Sequence, residues 1–191
     1  MPSIKGTKTE QNLLKAFAGE SQARNRYTYA AKVAGNAGLI QIANILEETA
    51  ENERVHAKVF FGFLEGGPVE ITATYPAGVI GDTKANLKAA ADGEHEEWSE
   101  LYPAFAETAK REGFPEVATA YAMIAKVEKE HEKRYRALVD RLEKNTLFKR
   151  DKSVGWKCNK CGYVHESKDA PQKCPACGHP IGYFEERAEN Y

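Results

Sequence analysis

Residues 53–60, ERVHAKVF, and residues 128–135, EKEHEKRY, carry the strongest structural signal in the chain. Each contains a glutamate three positions before a histidine: Glu53 with His56, and Glu128 with His131. Residues three apart lie on the same face of an α-helix, so the two side chains of each pair point in one direction. Both pairs continue the apolar stripe of a predicted helix. The pattern therefore predicts two helices that present carboxylate and imidazole groups to the protein core.

The two motifs belong to a longer internal repeat. Gly38 recurs as Gly113 with the same offset of 75 positions that relates the two Glu-x-x-His pairs. Upstream, Glu20 recurs as Glu94 with an offset of 74, so the first helix of each half also matches. Two helical hairpins related in this way can pack as a pseudo-symmetric four-helix bundle. The repeat makes this architecture a firmer prediction than apolar periodicity alone.

Apolar periodicity predicts four helices: about Thr9–Val33, about Leu39–Leu64, one beginning after Asp82, and one opening at Pro115. Thr7 and Glu10 have the spacing of a capping box before the first helix. Pro103 lies inside the third helix, so we expect a kink or a local break there. The stretch Gly66–Gly81 has no helical pattern. A connection of this length allows the third helix to begin at the opposite end of the bundle.

Acidic and imidazole side chains lie on the apolar stripes of all four predicted helices. They are Glu20, Glu53, His56, Glu94, Glu97, Glu128 and His131. Burying an unpaired carboxylate costs on the order of several kcal/mol, so these five glutamates need a compensating charge. Two divalent or trivalent metal ions supply that charge while the two histidines stay neutral. The residues therefore predict a dinuclear metal site, and an oxygen-rich donor set with two imidazoles suits iron or manganese better than zinc or calcium.

All four cysteines lie near the C-terminus in two CxxC pairs, Cys158 with Cys161 and Cys174 with Cys177. This spacing lets the thiolates reach one tetrahedral metal centre. The spacing does not distinguish iron from zinc, because both accept tetrahedral thiolate ligands. A segment of about 40 residues rarely folds on hydrophobic burial alone. The cysteines therefore predict a metal site and a small separate domain together.

The charges of the chain are balanced, with 27 basic and 28 acidic residues and a formal net charge of -1. This balance gives no electrostatic reason to expect nucleic acid or an anionic membrane as a partner. No stretch approaches the roughly 20 apolar residues that span a bilayer, and the first residues lack the apolar core of a signal peptide. We expect a cytoplasmic protein. The sequence has no G-x-G-x-x-G motif, so we expect no nicotinamide or flavin site.

Taken together, these motifs resemble the rubrerythrins over essentially the whole chain. The shared features are Glu20, Glu53-x-x-His56, Glu94-x-x-Glu97 and Glu128-x-x-His131, followed by CxxCGY and CPxCG. Glu97 is the most specific mark, because simpler di-iron bundles lack it. The resemblance implies a mainly α fold with a ferritin-like four-helix bundle over residues 1–150. A small rubredoxin-like metal-knuckle domain would follow over residues 151–191.

The same resemblance implies the cofactors and the roles of individual residues. Two irons would occupy the carboxylate-bridged site of the bundle, and one iron would occupy the site of four cysteines. In the family, one iron exchanges a histidine ligand for a glutamate on oxidation, which here would be His56 in the reduced form and Glu97 in the oxidised form. Tyr27 and Tyr102 fall where the family has tyrosines that hydrogen-bond ligand carboxylates.

The activity implied by the resemblance is the reduction of hydrogen peroxide to water, as a defence against oxidative stress. Electrons would pass through the rubredoxin-like iron from a free rubredoxin or a separate NAD(P)H-dependent reductase. The family is usually a homodimer, with the cysteine domain of one subunit serving the di-iron site of the other. Two alternatives remain open: a ferroxidase or iron-handling protein of the ferritin type, which would favour dioxygen, and a non-enzymatic bundle with a structural zinc ribbon.

Overall fold

The computed structural model describes residues 3–190, which form a helical bundle followed by a small antiparallel sheet. The helices are α1 (Lys8–Asn36), α2 (Ile40–Gly62), α3 (Thr83–Glu96), α4 (Tyr102–Arg111) and α5 (Pro115–Glu143). The strands are β1 (Lys149–Cys158), β2 (Val164–Asp169) and β3 (Phe184–Glu186). The predicted mainly α fold is confirmed. Within residues 3–190, no helix is both long and apolar enough to cross a membrane.

Local sequence signals set the first residue of three helices. The Thr7 hydroxyl accepts a hydrogen bond from the Glu10 backbone N–H at 3.0 Å, which caps α1. The Asp82 carboxylate accepts one from the Ala85 backbone N–H at 2.8 Å, which caps α3. Such caps satisfy N–H groups that have no partner within the helix. Pro115 opens α5, where its missing N–H costs nothing.

The third helical segment of the four-helix bundle, made of α3 and α4, is interrupted in the middle. Residues Glu97–Leu101 form a π-helical turn between α3 and α4. Pro103 lies in the first turn of α4, where its missing N–H removes no hydrogen bond within α4. The predicted break in the third helix is confirmed, and it takes the form of this π turn.

The π turn also accounts for a change of offset within the internal repeat. Glu20 and Glu94 are 74 positions apart, whereas Tyr27 and Tyr102 are 75 positions apart. A π turn accommodates one residue more than an α turn. The second half of the chain therefore carries one extra residue between its glutamate and its tyrosine, and both side chains still face the core.

The core of the bundle consists of two apolar clusters. The first cluster includes Tyr27, Ala31, Ile42, Leu46, Leu87 and Tyr135. The second cluster includes Leu13, Phe60, Tyr102, Val117, Tyr121 and Ile124. The four helical segments of the bundle are α1, α2, α3 with α4, and α5. Along each of them, one glutamate lies between residues of the two clusters; these are Glu20, Glu53, Glu94 and Glu128. The carboxylates therefore meet in the middle of the bundle, with apolar packing at both ends.

The long connection between α2 and α3 runs the length of the bundle. At its start, Leu64 packs against the second cluster. After its end, Leu87 belongs to the first cluster at the opposite end. On the way, the Tyr75 hydroxyl donates a hydrogen bond to the Lys15 carbonyl of α1 at 3.3 Å. This is the crossover that the sequence predicts.

The C-terminal domain is a three-stranded antiparallel sheet of order β2-β1-β3 with a small core of its own. That core contains Trp156, Ala170 and Phe184 together with two of the cysteines. Residues 144–148 connect it to α5. Gly182 lies directly against the carbonyl of Gly38, where a side chain at 182 would overlap the backbone. The domain therefore rests on the turn between α1 and α2.

Candidate metal centres

Six of the seven predicted bundle ligands meet in the middle of the bundle, and all six are buried. They form two groups of four: Glu20, Glu53, His56 and Glu128, and Glu53, Glu94, Glu128 and His131. Within each group, one potential ligand atom from each residue lies within 4.8 Å of the others. Glu53 and Glu128 belong to both groups. The geometry is therefore that of two adjacent metal positions with two shared carboxylates.

The two shared carboxylates each span both positions. One oxygen of Glu53 lies 2.8 Å from Nδ1 of His56, and its other oxygen lies 3.3 Å from Nδ1 of His131. The oxygens of Glu128 lie 2.9 and 2.8 Å from the same two nitrogen atoms. Each carboxylate thus offers one oxygen to each position. This is how a bridging carboxylate serves two metal ions.

Several atoms of this cluster lie within ion-pair distance of an imidazole or carboxylate but make no hydrogen bond of acceptable geometry among residues 3–190. They are Oε2 of Glu20, Oε1 of Glu53, Oε2 of Glu94, both carboxylate oxygens of Glu128 and Nδ1 of His131. Buried polar atoms are rarely left without a partner. These six atoms belong to the two ligand groups. Carboxylate oxygens together with imidazole nitrogens suit iron. The residues present therefore fit two iron ions.

Without metal, the cluster shares protons among its members. Burial raises the pKa of Glu20 well above its usual value, and burial together with the charge of Glu53 raises that of Glu94 to about 8. Burial opposes the charged imidazole of His131, but the carboxylates of Glu128 and Glu53 raise its pKa to about 12. Metal binding reverses this state, because it requires ionised carboxylates and neutral imidazoles.

Two tyrosines hold the two carboxylates that are not shared. The Tyr27 hydroxyl donates a hydrogen bond to Oε1 of Glu94 at 2.7 Å. The Tyr102 hydroxyl donates one to Oε1 of Glu20. Each bond joins one half of the repeat to the other, and each leaves the second carboxylate oxygen free for a metal. Burial raises the pKa of both tyrosines, so the hydroxyls stay protonated and able to donate.

Glu97 lies beside the site but outside both ligand groups. It is half-buried, and it lines a cavity that adjoins the site. Burial raises its pKa well above the usual value, and among the charges that add to this effect that of Glu20 is the largest. The repeat places Ala23 at the equivalent position of the first half, 74 residues earlier. The extra carboxylate therefore exists on one side of the pseudo-symmetric site, and its role as a ligand stays a prediction.

Two supporting contacts are not apparent from the sequence. The Asn52 side chain lies 3.2 Å from Nε2 of His131, which turns Nδ1 of that ring towards the metal positions. The Trp98 indole N–H donates to Glu132 of α5 at 2.6 Å and anchors the π turn that carries Glu97. Position 127, the repeat equivalent of Asn52, is a valine. The repeat therefore gave no signal for the contact of Asn52 with His131.

The four cysteines converge in the C-terminal domain, with all four sulfur atoms within 4.8 Å of one another. Sγ of Cys158 is 3.8 Å from that of Cys177, and Sγ of Cys161 is 3.7 Å from that of Cys174. A disulfide has its sulfur atoms only about 2.05 Å apart. Thiolates at about 2.3 Å from one tetrahedral metal lie about 3.8 Å apart. The cysteines are therefore arranged as a tetrathiolate metal site.

Each cysteine pair is followed by a glycine in the left-handed region. Gly162 and Gly178 have φ values of 79° and 76°, which side chains disfavour. These turns direct backbone N–H groups towards the sulfur atoms. Burial opposes ionisation of Cys174, but the N–H groups of Cys177 and Ala176 lower its pKa to about 7. The neighbouring cysteines act in the opposite direction on Cys177 and raise its pKa to about 12, so the lowered pKa belongs to Cys174 and not to the whole site.

The fold and the two centres define a ferritin-like di-iron carboxylate protein with an attached rubredoxin-like iron domain. The family model for rubrerythrin matches residues 11–139, and that for the rubredoxin-like domain of rubrerythrin matches residues 156–185. The chain belongs to the rubrerythrin family, a family of di-iron oxidoreductases.

Individual relatives agree with this assignment. The chain is 60% identical to a rubrerythrin of Porphyromonas gingivalis, over 99% of this chain and 94% of that protein. It is also 60% identical to rubrerythrin-1 of Clostridium acetobutylicum, over 100% of both chains. Among solved structures, fully reduced, all-ferrous nigerythrin aligns with a TM-score of 0.61 at 30% identity, covering 96% of this chain and 91% of that one.

The hydrogen bond from Tyr102 to Glu20 should support iron binding. We expect Tyr102→Phe to weaken iron affinity about 10- to 100-fold, as loss of an orienting partner does at other metal sites. Anaerobic competition with a chelator measures this. The control is Tyr121→Phe, because Tyr121 packs in the same cluster and its buried hydroxyl has no hydrogen-bond partner in residues 3–190. Equal losses in both variants would contradict the role of the bond.

The protons held by the metal-free cluster should make its stability depend on pH. Folding raises the pKa of Glu94 from 4.5 to about 8 and that of His131 from 6.5 to about 12. Between these values the folded protein binds more protons than the unfolded chain, so its unfolding free energy falls as the pH rises. The lowered pKa of Glu53 acts only below pH 4.5.

We therefore expect the metal-free protein to lose thermal stability between about pH 6 and 9, and the iron-loaded protein to lose less. Melting temperatures of both forms across this range measure the difference. Because both forms carry the same surface groups, the iron-loaded protein is the control. Parallel pH profiles would contradict the assignment of these protons to the cluster.

Proposed function

We propose that the protein is a peroxidase that reduces hydrogen peroxide to water at the di-iron site, as a defence against oxidative stress. The observation that carries this proposal is the presence of two kinds of metal centre in one chain: a carboxylate-bridged dinuclear site and a tetrathiolate site. A ferritin-type ferroxidase has no need of an attached electron carrier.

Reduction of one peroxide takes two electrons and two protons, breaks the O–O bond and gives two waters. When bound, the irons supply these electrons and act as Lewis acids.

The residues of the bundle hold this site in a fixed geometry. Glu53 and Glu128 fix the separation of the two metal positions because each carboxylate offers one of its oxygens to each position. Tyr27 and Tyr102 fix the orientation of the remaining carboxylates. The apolar clusters at both ends keep bulk water away from the buried ligands. A preorganised site of this kind needs little rearrangement when the substrate reacts.

His56 and Glu97 are proposed as alternative ligands of one metal position. His56 belongs to the ligand group that contains Glu20, and the charge of Glu20 is the strongest one acting on Glu97. Both residues therefore lie on the Glu20 side of the site. We assign His56 to the reduced protein and Glu97 to the oxidised one.

Glu97 is also suited to carry a proton. In the metal-free cluster, burial and the neighbouring carboxylates raise the pKa of Glu97 and favour its protonated form, and the residue lines the cavity. A carboxyl must lose its proton to become a metal ligand. If Glu97 becomes a ligand on oxidation, it releases its proton at the stage when the peroxide oxygens need one.

Electron supply within a single subunit would cover a long distance. The C-terminal domain rests on the bundle at Gly38, and Ile40–Glu53 of α2 separates this contact from the site. At 1.5 Å per residue, this part of the helix spans roughly 20 Å. We therefore propose a homodimer in which the cysteine domain of one subunit serves the di-iron site of its partner. A free rubredoxin or an NAD(P)H-dependent reductase would supply the cysteine domain.

Oxidation of the reduced protein tests the activity. The anaerobically reduced protein is mixed in a stopped-flow instrument with hydrogen peroxide or with dioxygen. We expect rapid oxidation by peroxide, appearance of the red ferric-thiolate absorbance, and slow oxidation by dioxygen. Faster oxidation by dioxygen would favour a ferroxidase. A colourless four-cysteine site would rule out electron transfer through that centre.

Complementation between two inactive variants tests the dimer. One variant carries Cys158→Ser with Cys161→Ser, and the other carries Glu53→Ala with Glu128→Ala. Co-expressed variants should regain about a quarter of wild-type peroxidase activity, because half of the dimers are mixed and each has one complete path between subunits. Each variant expressed alone is the control. A dimer that gains no activity on mixing would place electron transfer within one chain.

A further inference from the structure

A cavity of about 390 Å³ adjoins the di-iron site. Its walls come from α1, from α3 with the π turn, and from residues 72–76 of the crossover connection. Glu97 and the two ligand-holding tyrosines, Tyr27 and Tyr102, are among its lining residues. A water molecule needs only roughly 10–15 Å³ of cavity volume. The cavity is thus far larger than hydrogen peroxide requires.

The walls of the cavity are more apolar than polar, and Lys15, Arg26 and Glu96 add charged groups to the lining. The apolar part of the lining includes Ala16, Ala23, Tyr75, Leu101 and Phe105. Glu97 supplies a carboxyl group next to the metal ligands, and it has no hydrogen bond to another described residue in this structure. Pockets that bind small molecules combine apolar walls with a few polar groups in this way.

Two helical glycines keep the cavity open. Gly19 in α1 and Gly93 in α3 both line it, and the internal repeat relates them by the same offset of 74 as Glu20 and Glu94. A Cβ at Gly93 would meet nothing within 4 Å, and one at Gly19 would meet only the Tyr75 ring at 3.8 Å. Neither backbone position needs glycine for steric reasons. Glycine destabilises a helix interior relative to alanine, so space in the cavity is what these residues provide.

We propose that this cavity binds the organic part of alkyl hydroperoxides, and that the protein reduces them to alcohols. This inference rests on the proposed peroxidase function. The O–O bond of the hydroperoxide breaks, and two electrons from the same donor chain and two protons from solvent convert it to one alcohol and one water. Oxidation of the reduced site supplies the electrons, as it does for hydrogen peroxide. The hydroperoxide group lies towards Glu97, and the carbon skeleton lies against the apolar wall.

Filling the cavity tests the proposal. Gly93→Leu places a large side chain in the open space. We expect the ratio of kcat/KM for cumene hydroperoxide to that for hydrogen peroxide to fall about tenfold or more, the size of effect typical of an obstructed apolar pocket. Gly93→Ala controls for the change in helix propensity. Gly62→Leu adds the same side chain to a helical glycine outside the cavity and should leave the ratio unchanged.

A binding measurement gives a readout that does not depend on turnover. Cumyl alcohol, the product of cumene hydroperoxide reduction, should bind the zinc-substituted protein in ligand-observed NMR. We expect Gly93→Leu to reduce this binding and Gly62→Leu to leave it unchanged. Binding that Gly93→Leu leaves unchanged would show that the alcohol binds elsewhere, and equal loss in both variants would contradict binding in this cavity.

The outcomes separate this inference from the proposed function. Wild-type protein that reduces hydrogen peroxide but not cumene hydroperoxide would overturn the inference and leave the peroxidase intact. An unchanged ratio in Gly93→Leu would also overturn it. Protein that reduces neither substrate would contradict the proposed function itself. Binding of cumyl alcohol in the zinc protein would then still identify the cavity as an organic ligand site.

Discussion

The burial of four carboxylates in the centre of an apolar bundle is the constraint on which the rest of this structure depends. Glu20, Glu53, Glu94 and Glu128 are almost completely excluded from solvent, and several of their oxygens have no hydrogen-bond partner within residues 3–190. Such a cluster is costly unless positive charge occupies it. Metal binding and stable packing of the bundle are therefore coupled, because the ligands are also core residues.

The internal repeat gives the two metal positions nearly the same surroundings, and the differences between its halves make them inequivalent. Both positions have one unshared glutamate, one histidine and a tyrosine from the opposite half. Only one side has Glu97, because its equivalent is Ala23. The π turn that carries Glu97 adds one residue while Tyr102 still reaches Glu20. The cavity is lined by residues of both halves, Ala23 and Tyr27 as well as Glu97 and Tyr102.

The crossover connection and the C-terminal domain lie outside the four helices, and each contacts the bundle. Residues 72–76 of the connection form one wall of the cavity, and the Tyr75 hydroxyl donates a hydrogen bond to the Lys15 carbonyl of α1. The domain rests on the turn at Gly38, at one end of α2, whereas Glu53 and His56 lie well along that helix. Rigid helices keep these two parts of one chain apart. A second subunit is a direct way to bring a tetrathiolate centre closer to the di-iron site.

Much of the architecture was determined by the sequence because it depends on local spacing. Helix caps at Thr7 and Asp82, the Glu-x-x-His pairs and the CxxC pairs each rely on neighbours within a few positions. Together with the internal repeat and the apolar stripes of the four helices, they made the bundle and its inward-facing ligands predictable. Tertiary structure alone decided which carboxylates are shared, the contact of Asn52 with His131, and the position of Glu97 outside both ligand groups. These features depend on distances between helices that are remote in sequence. The π turn was only partly predictable. The shift of the repeat offset from 74 to 75 was present in the sequence. Only the packed bundle shows how the extra residue is accommodated.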